Sequence, residues 1–215
     1  MKSREFADGR AALLLIDLQN DFVEGGALAV DGGLGVIEIA NRLMSQFDLV
    51  VATQDWHPPD HQSFASQHPG LKVGDCFQLE GLAQTAWPDH CVQGSPGAEL
   101  VASLNVEGIQ HVVRKGTDRD IDSYSGFFDN GHKRSTGLAE YLREQKVSHV
   151  FVMGLATDYC VRATVLDALR EGLKTTLIAD GCRGVDLQPG DIERALGEMQ
   201  SAGAQIVNSQ AISGR

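Results

Sequence analysis

Short apolar runs alternate with segments of helical period along most of this chain, and this alternation restricts the possible folds more than any other feature. Residues 11–17 form a continuous apolar run that ends in a carboxylate, as expected for a strand buried on both faces of a parallel sheet. Residues 34–47 follow with apolar side chains at helical spacing. Such an alternation of strand and helix predicts an α/β fold.

The rest of the chain continues the pattern. Further strands are predicted at residues 49–53, 111–114, 150–153, 175–179 and 205–207. Further helices are predicted at residues 97–104, 135–145 (capped by Ser135), 160–171 and 191–202 (capped by Asp191). Residues 55–96 are rich in proline and lack periodicity, which is typical of a long functional loop. No linker or repeat divides residues 1–215, so we predict a single-domain three-layer α/β sandwich with a mostly parallel six-stranded sheet and helices on both faces.

Composition excludes several kinds of partner. The net charge is -11 and basic residues are scattered, whereas nucleic acids require a basic surface. No apolar run approaches the ~20 residues that span a bilayer, and residues 1–5 open a polar stretch without the apolar core of a secretory signal. The four cysteines show no C-x-x-C spacing, which favours a reducing compartment. We therefore predict a cytoplasmic protein that binds neither nucleic acid nor membrane.

Reactive side chains lie where predicted strands end. Asp17 ends the first strand, Asp55 and His57 come just past the second, Lys115 follows the third, and Cys160 follows the fourth. In open α/β sheets, ligands bind outside the carboxyl ends of the strands. The sequence therefore predicts that these side chains meet at one edge of the sheet.

Three of these residues suggest covalent catalysis. Cys160 begins the predicted helix 160–171, where the helix dipole lowers a thiol pKa and free N–H groups can hold an oxyanion. Lys115 could stabilise nearby anions, and Asp17 could act as a general base. Each also has a purely structural interpretation: a buried small side chain for Cys160, a solvated strand end for Lys115, and a cap of the following turn for Asp17.

Asp55 and His57 suggest a metal site. In an extended segment, residues i and i+2 point the same way, so both side chains can bind one ion. His61 and His90 are further candidates in the same proline-rich stretch, where surface histidines are the alternative interpretation. Carboxylate and imidazole ligands suit zinc, manganese or iron. Cys91 is excluded, because a neighbour of His90 on an extended chain points away from it.

Taken together, these motifs resemble the nicotinamidase/pyrazinamidase group of the isochorismatase-like cysteine hydrolases, over nearly the whole chain. The motifs that carry the resemblance are Asp17-Leu18-Gln19-Asn20-Asp21-Phe22, Gln54-Asp55-Trp56-His57-Pro58, Trp87-Pro88-Asp89-His90-Cys91-Val92, Lys115-Gly116, Asp122-Ser123-Tyr124-Ser125-Gly126-Phe127 and Gly154-Leu155-Ala156-Thr157-Asp158-Tyr159-Cys160-Val161.

The resemblance implies a role for each set of residues. It implies a catalytic triad of Asp17, Lys115 and Cys160. It implies a cis peptide between Leu155 and Ala156, and an oxyanion hole formed by the N–H groups of Ala156 and Cys160. The implied metal ligands are Asp55, His57 and His90, with His61 as a fourth ligand at a position that varies among members. The implied pocket aromatics, which would hold a flat ring, are Phe22, Trp87 and Tyr124.

The activity implied by the resemblance is hydrolysis of nicotinamide, and also of pyrazinamide, with one divalent metal ion that is zinc or else manganese or iron. Asp17 would take the thiol proton and pass it to the leaving ammonia. A thioester on Cys160 would then be hydrolysed by water activated by Asp17 or the metal. The metal would bind the pyridine nitrogen. The oligomeric state is left open, with a homo-oligomer as one alternative.

Two rival functions remain at this point. Another small-amide hydrolase of the same family, acting on carbamoyl or maleamate substrates, should not need both the metal ligands and the ring-stacking aromatics. A non-catalytic metal- or nucleotide-binding α/β module would give no reason for Asp17, Lys115 and Cys160 to lie at strand ends. The glycine-rich phosphate-binding fingerprint of nucleotide-binding folds is also missing after the first strand.

Overall fold

The computed structural model describes residues 9–212, and a six-stranded parallel sheet forms its centre. The strands of the chain are β1 (Arg10–Ile16), β2 (Val50–Asp55), β3 (Cys76–Leu79), β4 (Leu82–Thr85), β5 (His111–Lys115), β6 (Val147–Leu155), β7 (Lys174–Arg183) and β8 (Gln205–Val207). The large sheet has the order β5-β2-β1-β6-β7-β8, and every neighbouring pair in it is parallel. The predicted fold class is therefore confirmed.

Helices cover the sheet, which explains why its central strands are almost wholly buried. The helices are α1 (Leu34–Met44), α2 (Leu138–Glu144), α3 (Arg162–Arg170) and α4 (Asp191–Ser201). All of β2 is buried, and so is β1 after its first residue. Gly154 in β6 lies beside β1 so closely that a Cβ atom there would stand 2.2 Å from the Ile16 carbonyl oxygen. Glycine at this position lets the two strands stay paired up to the point where the site begins.

The stretch 55–96 is not the loop without strands that the sequence predicted, because β3 and β4 form an antiparallel hairpin within it. Its two-residue turn is Glu80-Gly81, with φ of 50° and 79°. Two successive positive φ values are the geometry of tight hairpin turns, which usually carry Asn-Gly or Asp-Gly. The atypical Glu-Gly pair and the short strands explain why the hairpin was missed.

The helix predicted at 97–104 was also wrong, since only a short 3-10 turn, Pro96–Ala98, forms there. The backbone that follows it is held elsewhere: the Val101 N–H donates to the Leu18 carbonyl, and the Glu99 carbonyl accepts from the Asn20 N–H. These contacts with the segment after β1 replace the hydrogen bonds a helix would have made.

Helix starts differ from the prediction in three places. Ser135 accepts from the Gly137 N–H in a turn, and α2 begins only after Gly137. Asp191 is the first residue of α4, not its cap, and accepts from the Gln188 N–H. Cys160 lies in a π-helical turn, Thr157–Val161, that precedes α3.

Within residues 9–212, no helix is long and apolar enough to cross a membrane. Residues 1–5, on which the predicted absence of a secretory signal partly rests, lie outside the described residues.

Candidate active site

Four neighbouring strands bring their polar ends to one edge of the sheet. Asp17 directly follows β1, Asp55 is the last residue of β2, Lys115 is the last residue of β5, and Cys160 lies in the turn after β6. All four are buried, with at most 6% of their surface exposed. Because β5, β2, β1 and β6 are adjacent and parallel, their carboxyl ends meet.

Lys115 is the centre of this cluster. Its Nζ lies 2.9 Å from Asp17 Oδ2, 2.5 Å from Asp55 Oδ1 and 3.3 Å from Cys160 Sγ, and it donates to the Ser123 carbonyl at 3.0 Å. Burial alone would lower the pKa of Lys115, but Asp17, Asp55 and Cys160 outweigh it and hold that pKa well above its usual range. The ammonium therefore stays charged between the two carboxylates.

Asp17 is held by Thr53 on β2. The Thr53 hydroxyl donates to Asp17 Oδ1 at 2.5 Å and accepts from the Asp17 backbone N–H at 3.1 Å. Oδ2 accepts no hydrogen bond of ordinary geometry from the described residues and has only the ion pair with Lys115. Burial raises the pKa of Asp17 to about 6, against the opposing effect of Lys115. The carboxylate is therefore ionised at neutral pH, and Oδ2 keeps a lone pair beyond its ion pair with Lys115 that can accept a proton.

The predicted lowering of the Cys160 pKa was wrong. Burial raises the pKa of this thiol well above its usual range, Lys115 opposes the shift, and Asp17 and Asp55 add to it. A helix dipole acts through the local segment, whereas the pKa of this thiol is set by its burial and by two neighbouring carboxylates. One oxygen of each carboxylate lies within 4.8 Å of Sγ. The resting side chain is thus a thiol that requires a base.

Asp55, His57 and His90 form a buried group that could hold a metal ion. Asp55 Oδ2 lies 3.7 Å from His57 Nε2 and 3.9 Å from His90 Nε2. The Nδ1 atoms are engaged elsewhere, at 2.9 Å from the Gly116 carbonyl oxygen for His57 and 2.7 Å from that of Pro88 for His90. A carbonyl partner makes each Nδ1 the protonated nitrogen and leaves the lone pair of Nε2 to face Asp55, as in metal sites of proteins.

His61 joins this group from one side. Its ring lies 4.3 Å from that of His57, its Nδ1 is 2.7 Å from Ser63 Oγ, and its buried Nε2 has no partner among the described residues. Ligand atoms of His57, His61 and Asp122 also lie within 4.8 Å of one another. A buried nitrogen without a partner is costly, and a cation at this point would satisfy it. Asp122 was not predicted as a site residue, because it follows no predicted strand.

A cleft of about 340 Å³ opens beside Cys160. Its aromatic lining includes the three predicted residues Phe22, Trp87 and Tyr124, and also Tyr159, which was not predicted. The Tyr159 ring centroid is 4.8 Å from that of Trp87 and 5.4 Å from that of Tyr124. The remaining lining residues are Leu28, Asp55, His57, His90, Asp122, Ala156, Cys160 and Val185. An apolar slot with polar groups at its base suits a small flat molecule.

The turn after β6 shapes the floor of this cleft. The peptide bond between Leu155 and Ala156 is cis, as the resemblance implied. The Ala156 carbonyl accepts from the N–H groups of Tyr159 and Val161, so the turn is tied to the helical segment that follows it. Ala156 and Cys160 both line the cleft, and their predicted role as an oxyanion hole stays a prediction.

The fold and the buried Cys–Lys–Asp cluster are those of an α/β amidohydrolase. Residues 11–211 match the isochorismatase domain, and the chain belongs to this family. It is 53% identical to a nicotinamidase of Escherichia coli over 199 residues, which cover 91% of this chain and 93% of that protein.

Solved structures agree with this placement. A nicotinamidase/pyrazinamidase of Acinetobacter baumanii superposes with a TM-score of 0.93 at 41% identity, covering 97% of this chain and all (100%) of the other. A pyrazinamidase of Pyrococcus horikoshii, whose structure is a complex with zinc, superposes with a TM-score of 0.76 at 39% identity and covers 93% and 99% of the two chains. The family resemblance drawn from the motifs is thereby confirmed, while the roles of single residues stay predictions.

Proposed function

We propose that this protein is a nicotinamidase, which hydrolyses nicotinamide to nicotinic acid and ammonia, and that pyrazinamide is a second substrate. One observation carries the proposal: the buried Cys160 thiol lines an aromatic cleft and lies within 4.8 Å of a carboxylate oxygen of Asp17. A flat ring in the cleft would bring its carboxamide to Cys160. Phe22, Trp87 and Tyr124 would hold the ring.

In acylation, Cys160 would pass its thiol proton to Asp17. The high pKa of the thiol and the pKa of about 6 for Asp17 make the free thiolate unfavourable, so proton transfer should accompany attack on the carboxamide carbon. The N–H groups of Ala156 and Cys160 would hold the oxyanion. Lys115 keeps its charge throughout and offsets the negative charge on its neighbours.

The tetrahedral adduct would then collapse with cleavage of the carbon–nitrogen bond. Protonated Asp17 returns its proton to the nitrogen, ammonia leaves, and a nicotinoyl thioester remains on Cys160. Asp17 next takes a proton from water, whose oxygen attacks the thioester. The carbon–sulfur bond breaks, the sulfur regains the proton, and nicotinic acid departs.

The donor set fits one divalent metal ion. Asp55, His57 and His90 would hold it, with His61 Nε2 as a fourth ligand, and their mixture of carboxylate and imidazole suits zinc, with manganese and iron as alternatives. When bound, the ion would act as a Lewis acid that can accept the lone pair of the pyridine nitrogen and order water.

We also propose a cytoplasmic location. All four cysteines are unpaired, as is usual in a reducing compartment.

The test is release of ammonia from nicotinamide by the purified protein, with and without a chelator. We expect turnover by the native protein, slower turnover after chelation, recovery on adding zinc, and none from Cys160→Ala. Absence of ammonia release from the zinc-loaded native protein would refute the proposal. Faster hydrolysis of a carbamoyl or maleamate substrate than of nicotinamide would favour the rival amidohydrolase.

A further inference from the structure

Strand β4 of the hairpin carries Gln84, a buried polar side chain that contacts the cleft residue Tyr124. Only 5% of Gln84 is exposed. Its Nε2 lies 2.9 Å from Asp122 Oδ2, 3.0 Å from the Tyr124 hydroxyl and 3.0 Å from the Thr85 carbonyl oxygen. The two N–H groups of one amide are thus shared among three acceptors. A polar side chain buried this deeply must be matched to its surroundings, because an unpaired amide would be costly.

Asp122 fixes which end of the amide faces the site. Asp122 is 3% exposed, its Oδ1 accepts from the Ser123 N–H at 2.7 Å, and its Oδ2 faces Gln84. A carboxylate only accepts hydrogen bonds, so it selects the NH₂ end of Gln84 and turns the amide oxygen away. The same NH₂ group is thereby directed at the Tyr124 hydroxyl.

The Tyr124 hydroxyl accepts a second hydrogen bond, from Trp87. Trp87 Nε1 donates to the Tyr124 hydroxyl at 3.0 Å, equal to the distance from Gln84 Nε2. Trp87 and Tyr124 are two of the aromatic residues that line the cleft. Two fixed donors define where the hydroxyl can lie, and therefore how the ring stands against the cleft.

We infer that Gln84 is a positioning residue for the substrate ring: its amide, oriented by Asp122, fixes Tyr124 as a wall of the cleft. Gln84 does not line the cleft, so its effect reaches the substrate through Tyr124. The inference rests on the proposed function in that Tyr124 is taken to contact the substrate. It predicts an effect on binding of the ring and little effect on the chemical steps at Cys160.

Kinetics of Gln84→Met test this role, because methionine keeps the length of the side chain and removes both N–H groups. Loss of one buried hydrogen bond of the usual size should raise KM for nicotinamide about tenfold, with kcat within about threefold of native. In a Tyr124→Phe background the same change should raise KM by less than about threefold, because the hydroxyl it acts through is gone. Gln84→Glu sets a carboxylate against Asp122 and should raise KM further.

The matched control is Gln78→Met on the neighbouring strand. Gln78 is exposed and pairs with Ala83 across the hairpin, so its replacement should leave KM and kcat unchanged. A KM effect of equal size in Gln78→Met would overturn the inference, as would a fall in kcat at constant KM in Gln84→Met. Full additivity of Gln84→Met and Tyr124→Phe would also overturn it.

An NMR measurement tests the positioning without relying on activity. The protein has two tryptophans, so the indole N–H region shows two signals, which Trp56→Phe assigns. Gln84→Met should shift the Trp87 signal, because the Tyr124 hydroxyl that accepts the indole hydrogen bond moves. The Trp56 signal should stay in place. An unshifted Trp87 signal overturns the inference. If zinc-loaded native protein releases no ammonia from nicotinamide, the proposed function fails. The Trp87 signal would still test whether Gln84 positions Tyr124.

Discussion

Thr53→Val should shift the pH dependence of the enzyme, because Thr53 donates to the carboxylate proposed as the general base. The hydroxyl bonds Asp17 Oδ1 at 2.5 Å, and this contact lowers the pKa of Asp17 from the still higher value that burial would give. Below its pKa of about 6, Asp17 is protonated and cannot take the thiol proton. The value of kcat/KM for the native enzyme should therefore fall tenfold per pH unit on the acid side of pH ~6.

The size of the shift follows from the hydrogen bond removed. A hydrogen bond to a charged group contributes about 1.5–3 kcal/mol, and one pKa unit corresponds to about 1.4 kcal/mol. Valine keeps the shape and gives up this bond, so the pKa of Asp17 should rise by roughly one to two units. At pH 7 the ionised fraction would fall from about nine-tenths to half or less, and the acid limb of kcat/KM would move toward pH ~7–8.

The assay is kcat/KM for nicotinamide between pH 5 and 9, at saturating zinc so that protonation of the histidines does not strip the metal. Thr175→Val is the matched control, since Thr175 is equally buried in the sheet but its hydroxyl bonds the Leu173 carbonyl, far from Asp17 in the chain. It should keep the native acid limb. An acid limb of Thr53→Val that coincides with the native one, or lies at lower pH, would refute the assignment of that limb to Asp17.

Three further predictions concern the proposed catalytic and metal residues. Cys160→Ala should abolish turnover while near-UV circular dichroism stays native, whereas Cys76→Ala, at an exposed cysteine, should stay active. Lys115→Met leaves two buried carboxylates without their cation, so kcat/KM should fall at least ~100-fold and the free energy of unfolding by about 3–5 kcal/mol, as denaturant titration can measure. Nicotinamide should be preferred over benzamide by about tenfold or more, and His57→Ala or chelation should narrow this preference. If the ratio of kcat/KM for nicotinamide and benzamide is the same with and without the metal, the metal does not bind the ring nitrogen.

The sequence alone was enough to predict the convergence of Asp17, Asp55, Lys115 and Cys160. Each follows or ends an apolar run, and parallel topology places all such ends at one edge of the sheet. The prediction needed no knowledge of distances, since the argument depends only on strand direction. It failed for the Cys160 pKa, because burial is set by residues that arrive from other strands.

The residues that support the site were not predictable in the same way. Thr53 acts on Asp17 across 36 positions of sequence, and Gln84 acts on Asp122 across 38. Neither has a residue type that signals function, and each resembles an ordinary polar residue of a strand. Their roles depend on the lateral register of β1 against β2 and on the placement of a hairpin that the sequence analysis missed. Residues that act on the site through another side chain can be identified only from the three-dimensional structure.

Asp55 joins the proposed catalytic and metal groups, which determines how the metal can be tested. Its Oδ1 binds Lys115 and its Oδ2 faces His57 and His90, so Asp55→Asn would remove a metal ligand and a counter-ion of Lys115 together. Lys115 would then have Asp17 as its one carboxylate partner, and the stronger attraction between them would lower the pKa of the proposed base. A change in rate could not be assigned to the metal. His57 is not among the groups that Lys115 Nζ contacts, which are Asp17, Asp55, Cys160 and the Ser123 carbonyl. His57→Ala is therefore the variant in which a change of selectivity between nicotinamide and benzamide reports on the metal.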